Sequence, residues 1–583
     1  MKILSLHCDY IKFKPVKKAL KEPEELSEEQ KKLKEVKECL VILTAVEKGD
    51  SLALVSKLIE NIKDIASQIK AKTIVLYPYA HLSSQLALPE IAIKILKQAE
   101  LELKKDKNFS VIRAPFGYYK EFELKCKGHP LAELSREIKE EGIKTLERLE
   151  KIEEKELTAN ERENLLDKMT KIHMSSERTK EGLKSNVEIG RDLDLYLVSE
   201  IVGSGLPLLT PKGSIIRREI ERFIVDEETK RGYQFTYTPI MAKSDLYKIS
   251  GHWQHYKELM FKLEIGNETF ALRPMTCPFQ FIIYKSKPRS YKELPIKYAE
   301  ISPQFRNEKT GELMGLTRLR QFTLTDAHVI CKPEQLEKEF ENVLNLVKYV
   351  MKTFGIKDIW YRFSKYDKKN KEKYINNPKA WESSQDMMKK ILNKLKLKYV
   401  EAENEAAFYG PKLDIQYKNI FGKEDTLITI QVDFALPERF DLTYIDEDNR
   451  TKRPIVIHRS SAGCIERTIA YILEKTQGNL PCWLSPIQVR ILSFTSRNKK
   501  SAEKTAEKLK EAGIRTDVDL RDDTINSKVR DAELQHISYI IVIGDKEEKS
   551  KTIAIRKRGS KKVKNIKLEK FITQVKKEIE KRK

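Results

Sequence analysis

The sequence predicts a multidomain protein of mixed α/β and α+β class, and three observations carry that reading. At 583 residues the chain is too long for one hydrophobic core, since domains run to roughly 150 residues each. Strand-like runs alternate with helical periodicity near both ends. Between them lie a stretch composed almost wholly of helix formers and a longer segment of mixed helices and β runs.

Taken in order, residues 1–140 read as an α/β domain. CLVILTAV (Cys39–Val46) and TIVLYPY (Thr73–Tyr79) are strand-like, and SLALVSKLIENIKDIASQIK between them places apolar residues at helical spacing. Residues 141–199 form a charged helical linker, because opposite charges recur four apart through KTLERLEKIEEKELTANERENLLDKM and no apolar face runs its length. Residues 200–485 alternate helices with longer β runs. Residues 486–583 show strands at Val489–Phe494, Arg515–Leu520 and Tyr539–Ile543 with helices between, a small parallel sheet with right-handed crossovers.

Composition narrows the function. The net charge of +23 and pI near 9.3 fit a polyanionic partner such as a nucleic acid, or a Lys/Glu-rich surface of the heat-adapted kind. Seven cysteines lie far apart with no CxxC pair, which argues against a disulfide framework. The apolar run at the start is too short for a signal peptide, and no stretch approaches ~20 apolar residues, so a cytoplasmic protein without a membrane span is expected.

The stretch FRNEKTGELMGLTRLRQFTLTDAH (Phe305–His328) follows LPIKYAEISPQFR and reads as strand, glycine-bearing loop and return strand. Unbroken alternation on the return would put Arg318, Arg320, Phe322, Leu324, Asp326 and His328 on one face. Such a hairpin can clamp a phosphate with guanidinium forks and stack an adenine between an arginine and Phe322; equally, it is a basic surface hairpin. Cys277, just before Pro278, suits a helix start, where a thiol is biased toward thiolate. His328 and His458 follow it by 51 and then 130 residues. No spacing rule links the three, and a buried cysteine with two core histidines reads as well.

Seven motifs in register change the balance: GHWQHY (Gly251–Tyr256), RPMTCP, FRNE, TDAH, AFYGPKLD (Ala407–Asp414), IQVDFALPERF (Ile430–Phe440) and VIHRSSAGCIERTIAYILE. Their order resembles the archaeal type of threonyl-tRNA synthetase over nearly the whole chain. GYQFTYTPIM, FRNE…RLRQF and GCIER then stand at class II motifs 1, 2 and 3. The resemblance implies a class II antiparallel sheet with flanking helices, an N-terminal α/β editing domain similar to D-aminoacyl-tRNA deacylase, and a C-terminal α/β anticodon-binding domain.

It further implies one Zn2+ per subunit on Cys277, His328 and His458, with a coordination position open for the amino and hydroxyl groups of L-threonine. Asp326 would hold the ammonium, and Tyr409 and Gln431 would complete the pocket. Valine lacks the hydroxyl and would be rejected. ATP with Mg2+ would meet Arg306 at the α-phosphate and Arg318 and Arg467 at the outer phosphates. Leu324 and Thr426 stand where the bacterial pattern has glutamines. Zinc cannot exclude serine, so hydrolysis of seryl-tRNA is expected at His81, Tyr119, Lys120 and Glu133, reached through YPYAHLSS and APFGYYKEFELKCKGHPLAELSR. Glu547 and Arg556 would read the anticodon of tRNA(Thr), with no contact carried onto Asp522 or Thr524. A homodimer through motif 1, centred on Pro239, completes the expectation. Two rival readings are disfavoured: a tRNA-binding regulator without activation, because arginines and triad are both kept, and a serine or proline enzyme, because of the Cys/His/His set.

Overall fold

The computed structural model describes residues 1–20, 23–83, 86–129, 131–138, 162, 182–370 and 373–583. It divides into two compact units, Met1–Glu153 and Glu154–Lys583.

In the first unit a long strand, Lys2–Lys18, pairs antiparallel with Lys34–Ala45 and Tyr118–Cys126, and its start also pairs with Glu133–Glu137. The strands Thr73–Pro78 and Ser110–Arg113 continue the sheet in parallel. The apolar run at Cys39–Ala45 is buried throughout because the sheet is covered on both faces. Leu58, Ile62 and Ile65 of the helix Leu54–Ile69 pack with Ile95, Leu96 and Ala99 of Pro89–Lys104 against Leu40, Ile42 and Ile74. Cys8, Val41, Val75 and Tyr77 close the other face. The sheet is thus mixed, and the two strands and the helix expected between them are present.

The second unit is built on an eight-stranded sheet. Six central strands run antiparallel in the order Ile359–Ser364, Lys412–Lys418, Glu424–Asp433, Ile455–Cys464, Gln321–Cys331 and Ile296–Phe305. Both edges, Tyr399–Ala402 and Gln234–Phe235, pair in parallel, which the sequence reading did not anticipate. Helices Pro211–Lys230, Leu336–Thr353 and Ile465–Thr476 cover one face through Ile220, Phe223, Phe340, Val347 and Ile469.

Of the expected 141–199 linker, 141–161 and 163–181 lie outside the described residues. Its end is no linker at all. Ile189, Leu193, Leu195 and Tyr196 enter the main core, and the Asn186 amide donates to Glu474 at 2.6 Å. The short helix Asn186–Asp192 contributes Ile189, and the segment just after it contributes Leu193, Leu195 and Tyr196.

The C-terminal sheet keeps the three expected parallel strands, Val489–Ser493, Thr516–Asp519 and Tyr539–Ile543. It then adds an antiparallel pair, Ile553–Lys557 and Val563–Ile566. The sheet is mixed rather than parallel. Among the described residues no helix is long and apolar enough to cross a membrane.

Candidate functional site

Register explains how residues far apart in sequence meet. His328 on strand Gln321–Cys331 stands directly opposite His458 on Ile455–Cys464, which in turn stands opposite Gln431. Their rings meet edge to face with centroids 4.5 Å apart. Cys277 begins the helix Cys277–Lys285, whose Phe281 packs on both imidazoles. One ligating atom from each of Cys277, His328 and His458 lies within 4.8 Å of the others, and among the described residues no other such cluster occurs.

The surroundings of the two imidazoles select their tautomers. Gln280 Oε1 accepts from His328 Nδ1 at 2.5 Å, and the Asp433 carboxylate accepts from His458 Nε2 at 2.7 Å. Nε2 of His328 and Nδ1 of His458 are left as lone-pair donors, the arrangement by which outer partners orient metal-ligating histidines. Burial depresses the His328 pKa well below its ordinary value and keeps the ring neutral. Burial, then the Asp326 and Asp433 carboxylates, push the Cys277 thiol far up. The expected bias toward thiolate at a helix start is therefore outweighed, since desolvation exceeds the dipole within one turn. Only a nearby cation reverses that balance. A soft sulfur and two imidazoles are a donor set that could hold zinc, three protein ligands leaving a fourth position free.

These three residues line a cavity of about 450 Å³ together with Asp326, Tyr409, Gln431, Arg306, Arg318 and Arg467. Every residue expected at the catalytic end is thus brought to one place. Tyr409 hydroxyl donates to Gln431 Oε1. Gly410 allows this, because a Cβ there would lie 1.9 Å from the Val432 carbonyl oxygen. Burial raises the pKa of Asp326, opposed by a hydrogen bond from Thr276. Arg467 donates to the Thr317 and Thr426 carbonyls at 3.0 and 2.8 Å. Gly463 beside it sits at φ +70° against the Leu427 carbonyl, a position open only to glycine.

One expectation about the hairpin fails. The return strand starts at Gln321, so Arg318 and Arg320 do not share the alternating face. Arg318 reaches the cavity from a turn, where it pairs with Glu308 and Glu312 at 3.0 and 2.8 Å, while Arg320 turns to the Glu308 carbonyl and does not line the cavity. Arg306 lies over Phe322, 5.0 Å from the ring centroid, so an adenine stacked on Phe322 would face a different arginine; Arg467 lines the same cavity. Leu324 and Thr426 both line the cavity, and Thr426 Oγ1 accepts from Gln416 at 2.6 Å.

Among the cavity residues the sequence reading did not single out are His252 and Gln304. His252 of GHWQHY is buried, with Nδ1 on Ser250 Oγ at 2.8 Å and no protein partner for Nε2. Gln304 is buried just before Arg306. The motif context could have flagged His252; nothing in the local pattern distinguished Gln304.

In the first unit, His81, Tyr119 and Lys120 line a cavity of about 370 Å³ whose walls are otherwise mainly apolar and aromatic, including Tyr77, Tyr79, Phe116 and Phe122. Lys120 Nζ donates to the Pro115 and Tyr118 carbonyls and sits 5.0 Å from the Tyr77 ring centroid. Burial lowers its pKa to about 8. Glu133 does not join them: it is exposed on the strand paired with Leu6 and lies off the cavity lining.

In the C-terminal sheet, Glu547 accepts from the Gly544 N–H at 3.0 Å at the start of its own helix, and Arg556 pairs with Glu533 at 2.5 Å. A cavity at the ends of the parallel strands is lined instead by Phe494, Arg521, Asp522, Thr524 and Lys528. It contains Asp522 and Thr524, onto which no contact had been carried.

Comparison with known proteins places these parts. Residues 1–138 match the Archaea-specific editing domain of threonyl-tRNA synthetase, residues 261–476 the tRNA synthetase class II core domain (G, H, P, S and T), and residues 488–578 the anticodon binding domain. The antiparallel sheet, motif arginines and cavity are thus those of a class II aminoacyl-tRNA synthetase core. The threonine–tRNA ligase of Clostridium perfringens is 55% identical over 375 residues, 64% of this chain and 58% of the relative. That of Halalkalibacterium halodurans is 45% identical over 396 residues, 68% of this chain and 61% of the relative. The chain therefore spans about three-fifths of the length of these relatives. The crystal structure of the RNA binding domain of threonyl-tRNA synthetase from Cryptosporidium parvum superposes with a TM-score of 0.65 at 31% identity, covering 68% of this chain and 98% of that one. A threonyl-tRNA synthetase structure from Aeropyrum pernix gives 0.60 at 26% identity, covering 68% and 97%. This chain belongs to the threonyl-tRNA synthetase family.

Proposed function

We propose that the chain activates L-threonine with ATP, transfers it to the 3′-terminal ribose of tRNA(Thr), and hydrolyses seryl-tRNA(Thr) in its N-terminal unit. The observation that carries this reading is the meeting of Cys277, His328 and His458 in one cavity with Asp326, Arg306 and Arg467. Cys277, His328 and His458 would hold Zn2+, which when bound supplies a Lewis-acidic centre for vicinal amino and hydroxyl groups. Asp326 takes an N–H of the amino group, and Tyr409 and Gln431 wall the side chain. A threonine carboxylate oxygen attacks the α-phosphorus as the bond to pyrophosphate breaks. Arg306 neutralises charge on the α-phosphate, with Arg318, Arg467 and Mg2+ at the outer phosphates, so the chemistry is positioning and electrostatics. Arg318 must first leave Glu308 and Glu312.

His81, Tyr119 and Lys120 serve the hydrolytic pocket; the exposure of Glu133 leaves it the weakest member of that set. Glu547 and Arg556 are retained as anticodon contacts. Homodimerisation through motif 1 is supported by exposed Phe235, Tyr237, Ile240 and Met241 around Pro239, with Tyr237 96% exposed. A cytoplasmic location follows from work on tRNA. The test is ATP–pyrophosphate exchange with each of the twenty amino acids, with metal content measured on the same sample. Threonine should support exchange, serine less well and valine negligibly, with one zinc per chain. Strong exchange with valine would sink the reading. Cys277→Ala should remove both zinc and exchange while leaving the fold.

A further inference from the structure

Gln304 is fully buried beside Asp326, and half of its amide has no protein partner. Its Nε2 donates to Asp326 Oδ2 at 3.3 Å and to Thr276 Oγ1 at 3.2 Å. Its Oε1 has no protein hydrogen-bond partner, although the residue lines the cavity. A buried carbonyl without a donor is costly, and the cost is met when a ligand supplies one.

The chemistry of the ligand supplies it. An amino nitrogen that gives its lone pair to a cation keeps two N–H bonds, and each needs an acceptor once buried. Asp326 offers one. Gln431 Oε1 is already engaged by the Tyr409 hydroxyl, and Leu324, two residues before Asp326, offers nothing. Gln304 Oε1 is a buried acceptor with no protein partner, one hydrogen bond away from the Asp326 carboxylate.

We propose that Gln304 positions the amino acid substrate, its Oε1 accepting an N–H of the α-amino group while its Nε2 holds the Asp326 carboxylate in place; this rests on the threonine activation proposed above. Gln304 thus supplies, from the neighbouring strand, the polar contact that Leu324 cannot make.

The test is calorimetric binding of L-threonine and of 3-hydroxybutanoate, which lacks the amino group, to the zinc-loaded full-length chain and to Gln304→Met. The variant keeps length and volume but loses the amide. Its Kd for threonine should rise about 10- to 100-fold, the scale of one hydrogen bond in a polar site, with zinc content and ATP affinity unchanged. Binding of 3-hydroxybutanoate should be the same in both chains. Equal affinity for threonine, or an equal loss for both compounds, would reduce Gln304 to a core residue. If Gln304→Met does not fold, Gln304→Glu keeps an acceptor and should bind threonine more tightly than Gln304→Leu; no difference between these two overturns the assignment. A wild-type chain that binds no amino acid at all defeats the proposed activity itself, an outcome distinct from a silent Gln304 variant.

Discussion

Two cavities of this chain, the catalytic one around Cys277 and the N-terminal one around Lys120, handle charge differently. In the catalytic one, charged and polar groups brace each other: Asp433 holds His458, Gln280 holds His328, Gln304 holds Asp326, and Glu308 holds Arg318. In the N-terminal one a single lysine enters an aromatic chamber with carbonyls as its hydrogen-bond partners, and burial alone sets its pKa at about 8. The first arrangement suits a reaction that must neutralise developing phosphate charge. The second suits a hydrolysis in which one tunable proton donor and water suffice. Burial shifts pKa values in both; in the first the groups also hold one another in place, and in the second the lysine has only neutral carbonyl partners.

The largest effect should come from the braced cavity. Arg306→Lys keeps the charge but loses the planar fork, so threonine activation should fall about 10²- to 10³-fold in single-turnover assays while threonine affinity moves little. A variant changed only in threonine binding would mean that another arginine holds the α-phosphate. Next, Lys120→Ala should slow hydrolysis of seryl-tRNA by about 10²-fold and leave threonyl-adenylate formation intact. Deleting residues 1–153 should do the same more completely. Should the truncated chain still clear seryl-tRNA, the two cavities do not divide the work as argued.

Smaller effects probe the bracing itself. Gln280→Leu removes the acceptor on His328 Nδ1 and should weaken zinc by about 10- to 100-fold in competition with a chelator. Unchanged zinc affinity would show that the tautomer of His328 is selected by something else. The smallest effect belongs to the lone lysine. Because the folded-state pKa of Lys120 lies near 8 and the unfolded value near 10.5, the unfolded chain holds more protons between those limits, and stability rises with pH across that window. The penalty is fully present below pH ~8 and gone above ~10.5. Lys120→Met should therefore stabilise the Met1–Glu153 fragment by about 1–3 kcal/mol at pH 7, a gain that vanishes toward pH ~10.5 in urea unfolding. A gain independent of pH would point to packing instead.

Much of this was decided by the sequence itself. The buried run at Cys39–Ala45 and the spacing of Leu58, Ile62 and Ile65 determine strand and helix, because a covered strand and an amphipathic helix each have one periodicity that buries them. The motif arginines Arg306 and Arg467 were legible only through the resemblance of FRNE and GCIER to class II motifs 2 and 3. What only the tertiary structure decided depends on pairing across the sheet. Residues 130 apart meet as His328 and His458 because two strands adopt one register, and a slip of one position would send every side chain to the other face. The docking of 185–199 on the core, Arg318 arriving by a turn, the exposure of Glu133 and the orphaned carbonyl of Gln304 have the same origin. Each is settled by which neighbour a side chain meets, and neighbours distant along the chain leave no mark on local pattern.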